Sequence, residues 1–136
     1  MLYMITFVRV IDMNIQQNEW YNELLCWLYM DCEPVCMIVH NALEGQKRAL
    51  HEELRLNALK NILEIIKNGD AIIRWNYNTT VRDIDKALTI VKERHLKTSL
   101  SVYKNKNTTD YFEHKYSGDY TLHLTTKGKN KIKAIV

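Results

Sequence analysis

Glycine and proline are the scarce residues of this chain, with four glycines and one proline, Pro34, in 136 residues. That scarcity excludes Gly-rich phosphate-binding loops and turn-dense β-sandwiches, because both need many residues that tolerate positive φ. Long apolar runs are missing too. The stretch Leu2–Ile11 is interrupted by Arg9 and falls well short of the ~20 residues that a bilayer span requires. No positive charge precedes that stretch and no small residues follow it, so it does not read as a cleavable signal. The three cysteines, Cys26, Cys32 and Cys36, are odd in number and close together, which fits a reduced, cytoplasmic chain better than a disulfide framework. Internal repeats are absent, which excludes solenoids. Met13 is an alternative start to Met1; residues 1–12 then read as a leader, and otherwise as an extra strand.

What is present suits one globular domain over residues 1–136: 46% hydrophobic and 26% charged residues can offset chain entropy in a single core. The net charge of +3 is unevenly distributed. Residues 1–96 hold 11 Lys and Arg against 13 Asp and Glu, or −2, whereas residues 97–136 hold 8 Lys against Asp110, Glu113 and Asp119, or +5. A helical body (18–96) therefore carries a basic C-terminal part (97–136), and a local lysine cluster can neutralise phosphates or steer an acidic partner.

Trp20, Leu24, Trp27 and Leu28 recur at helical spacing and predict a first helix ending near Asp31. Pro34 suits the first turn of a short buried helix, Pro34–Leu43, closed by Gly45. From Gln46 to Lys67 the apolar positions Leu50, Leu54, Leu59, Ile62, Leu63 and Ile66 predict a long helix ending at Asn68-Gly69. Alternation of Ala71, Ile73, Trp75 and Tyr77 with Ile72, Arg74 and Asn76 then predicts a strand. Thr80 and Asp83 resemble a capping box ahead of a helix over 81–96. Short strands are expected near Leu100–Val102 and Tyr111-Phe112, a firmer one at Tyr120–Leu124, and a lysine-bearing helix over Lys127–Val136.

Reactive constellations are few. Cys32, Cys36 and His40 recur every four residues and would share one face of a helix, but a structural zinc site usually draws four ligands from two segments, and packing as small core residues is the expectation. His51-Glu52-Glu53 matches half of a zinc-protease motif, with Arg55 where the second histidine is required. Asp83 and Asp85 are explained by a helix start. No nucleophile has an identifiable base, so neither catalysis nor a cofactor or metal is expected. Arg74, Trp75 and Tyr77 combine the residue types enriched where proteins meet proteins and form the first candidate contact surface.

The order helix, short helix, long helix with Asn68-Gly69, strand, and then Leu124-Thr125-Thr126-Lys127-Gly128 before a terminal helix resembles the winged-helix family, whose closing strand commonly ends in Leu-Thr, x, Lys-Gly. The helix over 81–96 departs from that pattern, standing where a short wing would be. The resemblance implies an α+β, winged-helix-like fold with a small antiparallel sheet and an inserted helix. It implies two functions. Small bacterial chains of this kind with an inserted helix resemble immunity proteins of polymorphic toxin systems, which neutralise a toxin by covering it. This is the favoured expectation, with Arg74, Trp75 and Tyr77 at the contact. The alternative is a DNA-binding transcriptional regulator, in which Lys47, Arg48, Lys127, Lys129, Lys131 and Lys133 hold duplex phosphates. Glu44, Glu52, Glu53 and Glu64 on the long-helix segment oppose that second reading.

Overall fold

The computed structural model describes residues 19–97 and 120–135. Helix α1 (Glu19–Met30) is followed by strand β1 (Glu33–Pro34), helix α2 (Val35–Leu43), a 3₁₀ turn (Arg48–Leu50) and helix α3 (His51–Lys67). Strands β2 (Ala71–Trp75) and β3 (Thr79–Val81) lead to helix α4 (Ile84–Val91), which runs on into a π-helical turn (Lys92–Leu96). Strand β4 (Tyr120–Leu124) and helix α5 (Thr126–Ile135) close the described chain. The fold is α+β. Among the described residues the sheet has four strands in the order β1-β4-β2-β3, antiparallel at every step. No helix among them is long and apolar enough to cross a membrane.

The core lies between the helices and one face of the sheet. Leu24, Leu25 and Leu28 of α1, Ile38 and Val39 of α2, and Leu59, Ile62, Ile65 and Ile66 of α3 are buried together with Ala71, Ile73 and Leu122 from the strands. Alternation sends Ile72, Arg74, Thr121 and His123 to the opposite face. Helix α3 stops through a Schellman arrangement: Gly69 has φ 76°, its N–H donates to Ile66 O at 3.0 Å and the Asp70 N–H to Ile65 O at 3.0 Å. Glycine takes that φ without steric cost.

Several expected boundaries move, each for a local reason. Pro34 lies in β1 and caps α2 from an extended conformation (φ −62°, ψ 142°), a conformation that proline and its position before a helix both allow. The helix expected from Gln46 begins at His51, because Gly45 takes φ 75° and Lys47 is extended. The strand expected through Tyr77 ends at Trp75: Asn76 (φ 50°) and Tyr77 (φ 68°) are left-handed, and the Asn78 N–H donates to Trp75 O at 3.1 Å to close a hairpin. The helix expected over 81–96 is split, since Thr80 and Val81 pair with β2. Its cap is Asp83, whose Oδ1 accepts from the Lys86 N–H at 3.1 Å, so Thr80 takes no part in a capping box. The strands expected near Leu100–Val102 and Tyr111-Phe112, the segment Leu2–Ile11 and the end at Val136 lie outside the described residues.

Candidate functional site

At the hairpin end of β2, Trp75 stands directly across from Tyr120 of β4, and their rings tilt together at a centroid distance of 4.8 Å. Arg94, on the π-helical turn, brings its guanidinium carbon to 5.2 Å from the Trp75 ring and 5.6 Å from the Tyr120 ring. Both rings thus offer a π face to one cation, a geometry that is favourable when partly desolvated. The two rings, with Thr79, Asp83, Lys86 and Ile90, border a groove of about 390 Å³.

Arg74, Trp75 and Tyr77, read as one cluster in the sequence, are divided by the sheet. Trp75 shares the Tyr120 face, whereas Arg74 lies with Thr121 and His123 on the other. Tyr77 leaves the strand in the hairpin turn and meets His123 edge-on, with centroids 6.4 Å apart. The arginine that does cover Trp75 is Arg94, which no local motif announces. On the second face the Thr121 hydroxyl donates to Arg74 O at 3.3 Å and lies 2.7 Å from His123 Nε2. Burial, and after it the nearby Arg74 charge, hold the His123 pKa below its ordinary value, with Asp31 opposing. The neutral imidazole is therefore favoured.

The six cations of the DNA-binding expectation are also divided. Lys47 and Arg48 are exposed just ahead of α3. At the far end of that helix, 17 residues or about 25 Å away, α5 is docked by its lysines. Lys127 Nζ donates to Asn68 O at 2.5 Å, and Lys131 Nζ meets Asp70 Oδ2 at 2.7 Å. Lys129 and Lys133 are exposed. Asp70 is fully buried, and the Tyr21 hydroxyl donates to the same Oδ2 at 2.5 Å. Burial foremost, and then the Asp70 bond, push the Tyr21 pKa far above its usual value, so the phenol stays a donor. Two of the four α5 lysines are thus bound to the protein's own acceptors.

Helix α4 walls two grooves. Lys86 and Ile90 face the Trp75 groove, while Leu88, Lys92 and Leu96 face a second one, of about 370 Å³, against α3. Residues two apart on a helix point about 200° away from each other, which assigns them to opposite flanks. The chain after α4 is tied to α3 by Arg55, buried at 4% exposure. Its guanidinium pairs with Glu52 at 2.7 Å and donates to His95 O at 2.9 Å. The residue that breaks the zinc-protease motif is therefore a structural tie. On the outward side of α3 lie Glu52, Glu53, Leu56, Asn57, Lys60 and Lys67.

Cys36 is buried in α2 and Cys32 precedes β1, so the two-residue strand interrupts the continuous helix that a shared Cys32, Cys36 and His40 face would require. Among the described residues no three His, Cys, Asp or Glu converge as metal ligands. Burial pushes the Cys26 thiol up to about 11 and, aided by Asp31, raises that of Cys32, so both are thiols at neutral pH. Comparison with known protein families, with curated proteins and with solved structures gives no match for this chain.

Proposed function

We propose that this chain is a non-enzymatic protein-binding module on a winged-helix-like scaffold, and that it neutralises a toxin as an immunity protein does, by covering it. The scaffold is supported by the order α1-β1-α2-α3-β2 and then β4-α5, with β4 between β1 and β2. The observation that carries the function is α4. It lies along α3 and opens a groove on each flank, so the helix that would otherwise enter a DNA groove has a protein wall beside it. The acidic pair Glu52 and Glu53 on that helix adds a cost near phosphate. The contact surface is α4 with its two grooves, and Arg94, Trp75 and Tyr120 are its aromatic and cationic anchors.

A second reading, a winged-helix transcriptional regulator, is favoured by one observation: Lys47 and Arg48 are exposed at the start of α3. Titration of the full chain with duplex DNA over a salt series separates the two. The protein-binding reading expects at most weak, sequence-indifferent binding. Submicromolar affinity that falls steeply with salt, and weakens in Lys47→Ala and Arg48→Ala, would overturn it.

A further inference from the structure

We infer that the groove between α3 and α4 is a docking site for an acidic amphipathic α-helix of a partner protein. The inference rests on the protein-binding reading and names the class of segment that its α3-side groove takes. Each wall repeats leucine and lysine at helical spacing. Leu56, Lys60, Leu63 and Lys67 rise along α3 at intervals of four, three and four, and Leu88, Lys92 and Leu96 along α4 and its extension at intervals of four. Leucines and lysines therefore alternate along both walls of the groove.

Leu56, at 41% exposure, is among the large apolar side chains most open to solvent. Three lysines border the groove against the single carboxylate of Glu64, which leaves an edge charge of +2 for a partner of opposite sign. Duplex DNA would answer the lysines and leave the leucines wet, whereas an apolar stripe flanked by carboxylates answers both. The occupant's backbone follows from the walls. Two helices offer no row of free N–H and C=O groups, so an extended segment would lose its backbone partners on entering, while a helix brings its own. From Leu56 to Lys67 the wall rises about 16 Å, or three turns, which matches apolar anchors at i, i+4, i+7 and i+11.

The test uses the full chain and two fluorescent helical peptides of about four turns, with leucines at those positions and either glutamates or lysines at all others. Fluorescence anisotropy is expected to show micromolar binding of the acidic peptide and none of the basic one. Joint Lys60→Glu and Lys92→Glu changes should weaken the acidic peptide roughly 10- to 100-fold, and Leu56→Asn at least tenfold, with circular dichroism unchanged because all three residues are surface groups. Equal binding of the two peptides, binding indifferent to these variants, or no binding up to millimolar concentration would each overturn the assignment. So would a dimer in sedimentation equilibrium that Leu56→Asn dissociates, since a second copy would then be the occupant. A negative peptide result without salt-sensitive DNA binding removes this groove alone, whereas salt-sensitive submicromolar DNA binding removes the protein-binding reading with it.

Discussion

Gly128 sits where α5 crosses the turn between α3 and β2, and a Cβ there would run into the Asp70 carbonyl oxygen and lie 2.9 Å from Leu124 Cδ2. Its neighbours form one clasp on the same turn. Thr125 Oγ1 donates to Gly69 O at 2.7 Å and accepts from the Gly128 N–H at 3.2 Å, capping α5, and Lys127 binds the carbonyl of Asn68. The Leu-Thr, x, Lys-Gly ending visible in the sequence thus has a physical reason at every position but Thr126. Gly128→Ala is expected to cost about 3 kcal/mol, because the obstacle is backbone and cannot swing aside. Gly45 offers the contrast: it has φ 75° and nothing within 4 Å of a built Cβ, so Gly45→Ala should cost only about 1 kcal/mol of left-handed strain. Urea denaturation measures both, and equal losses would refute the close-packing account.

Among the elements, α4 borders both grooves, and its start rests on Asp83. Removing the cap with Asp83→Ala should cost about 1 kcal/mol. It should also lower helicity by circular dichroism, whereas Thr80→Ala, in the strand, should leave helicity unchanged. An equal loss of helicity in both would restore the capping-box reading. Why the sequence misled there is instructive: an oxygen three residues ahead of a helical N–H is supplied by Thr80 for Asp83 and by Asp83 for Lys86 alike, and only the pairing of Thr80 with Arg74 decides between them. Helices α1, α2 and α3 were legible because their apolar residues recur at helical spacing, whereas α5 has no such period and was expected from the Leu-Thr, x, Lys-Gly ending ahead of it. Strand β1 was not, since two residues carry no period. The grouping of Arg74, Trp75 and Tyr77 is undone twice: strand alternation sets Arg74 and Trp75 on opposite faces, and a left-handed turn, which neither Asn76 nor Tyr77 demands, ends the strand between the two rings. Arg94 joins Trp75 only through tertiary packing, 19 positions along the chain.

At the scale of the whole molecule, proton binding couples the second face of the sheet to folding. His123 is held neutral mainly by burial and then by Arg74, so below the ordinary imidazole value of about 6.5 the unfolded chain binds the more protons. Stability from this site is present at neutral pH and is lost as pH falls through the lowered folded value. Glu33 acts with the opposite sign. Burial raises its pKa despite the 3.1 Å bond from Trp27 Nε1, so its folded form binds the more protons, and its contribution is largest in acid and fades as pH rises through the raised value. The two windows are separable by substitution. His123→Gln keeps a donor for the Thr121 hydroxyl without a titrating ring, and its melting temperature should fall less than that of the parent between pH 7 and pH 5. Glu33→Gln keeps an acceptor for Trp27 and should gain on the parent as pH rises from about 4 toward 7. Parallel melting curves for parent and His123→Gln would show that the imidazole is no more buried than in the unfolded chain, and would remove the argument that the Arg74 face is desolvated.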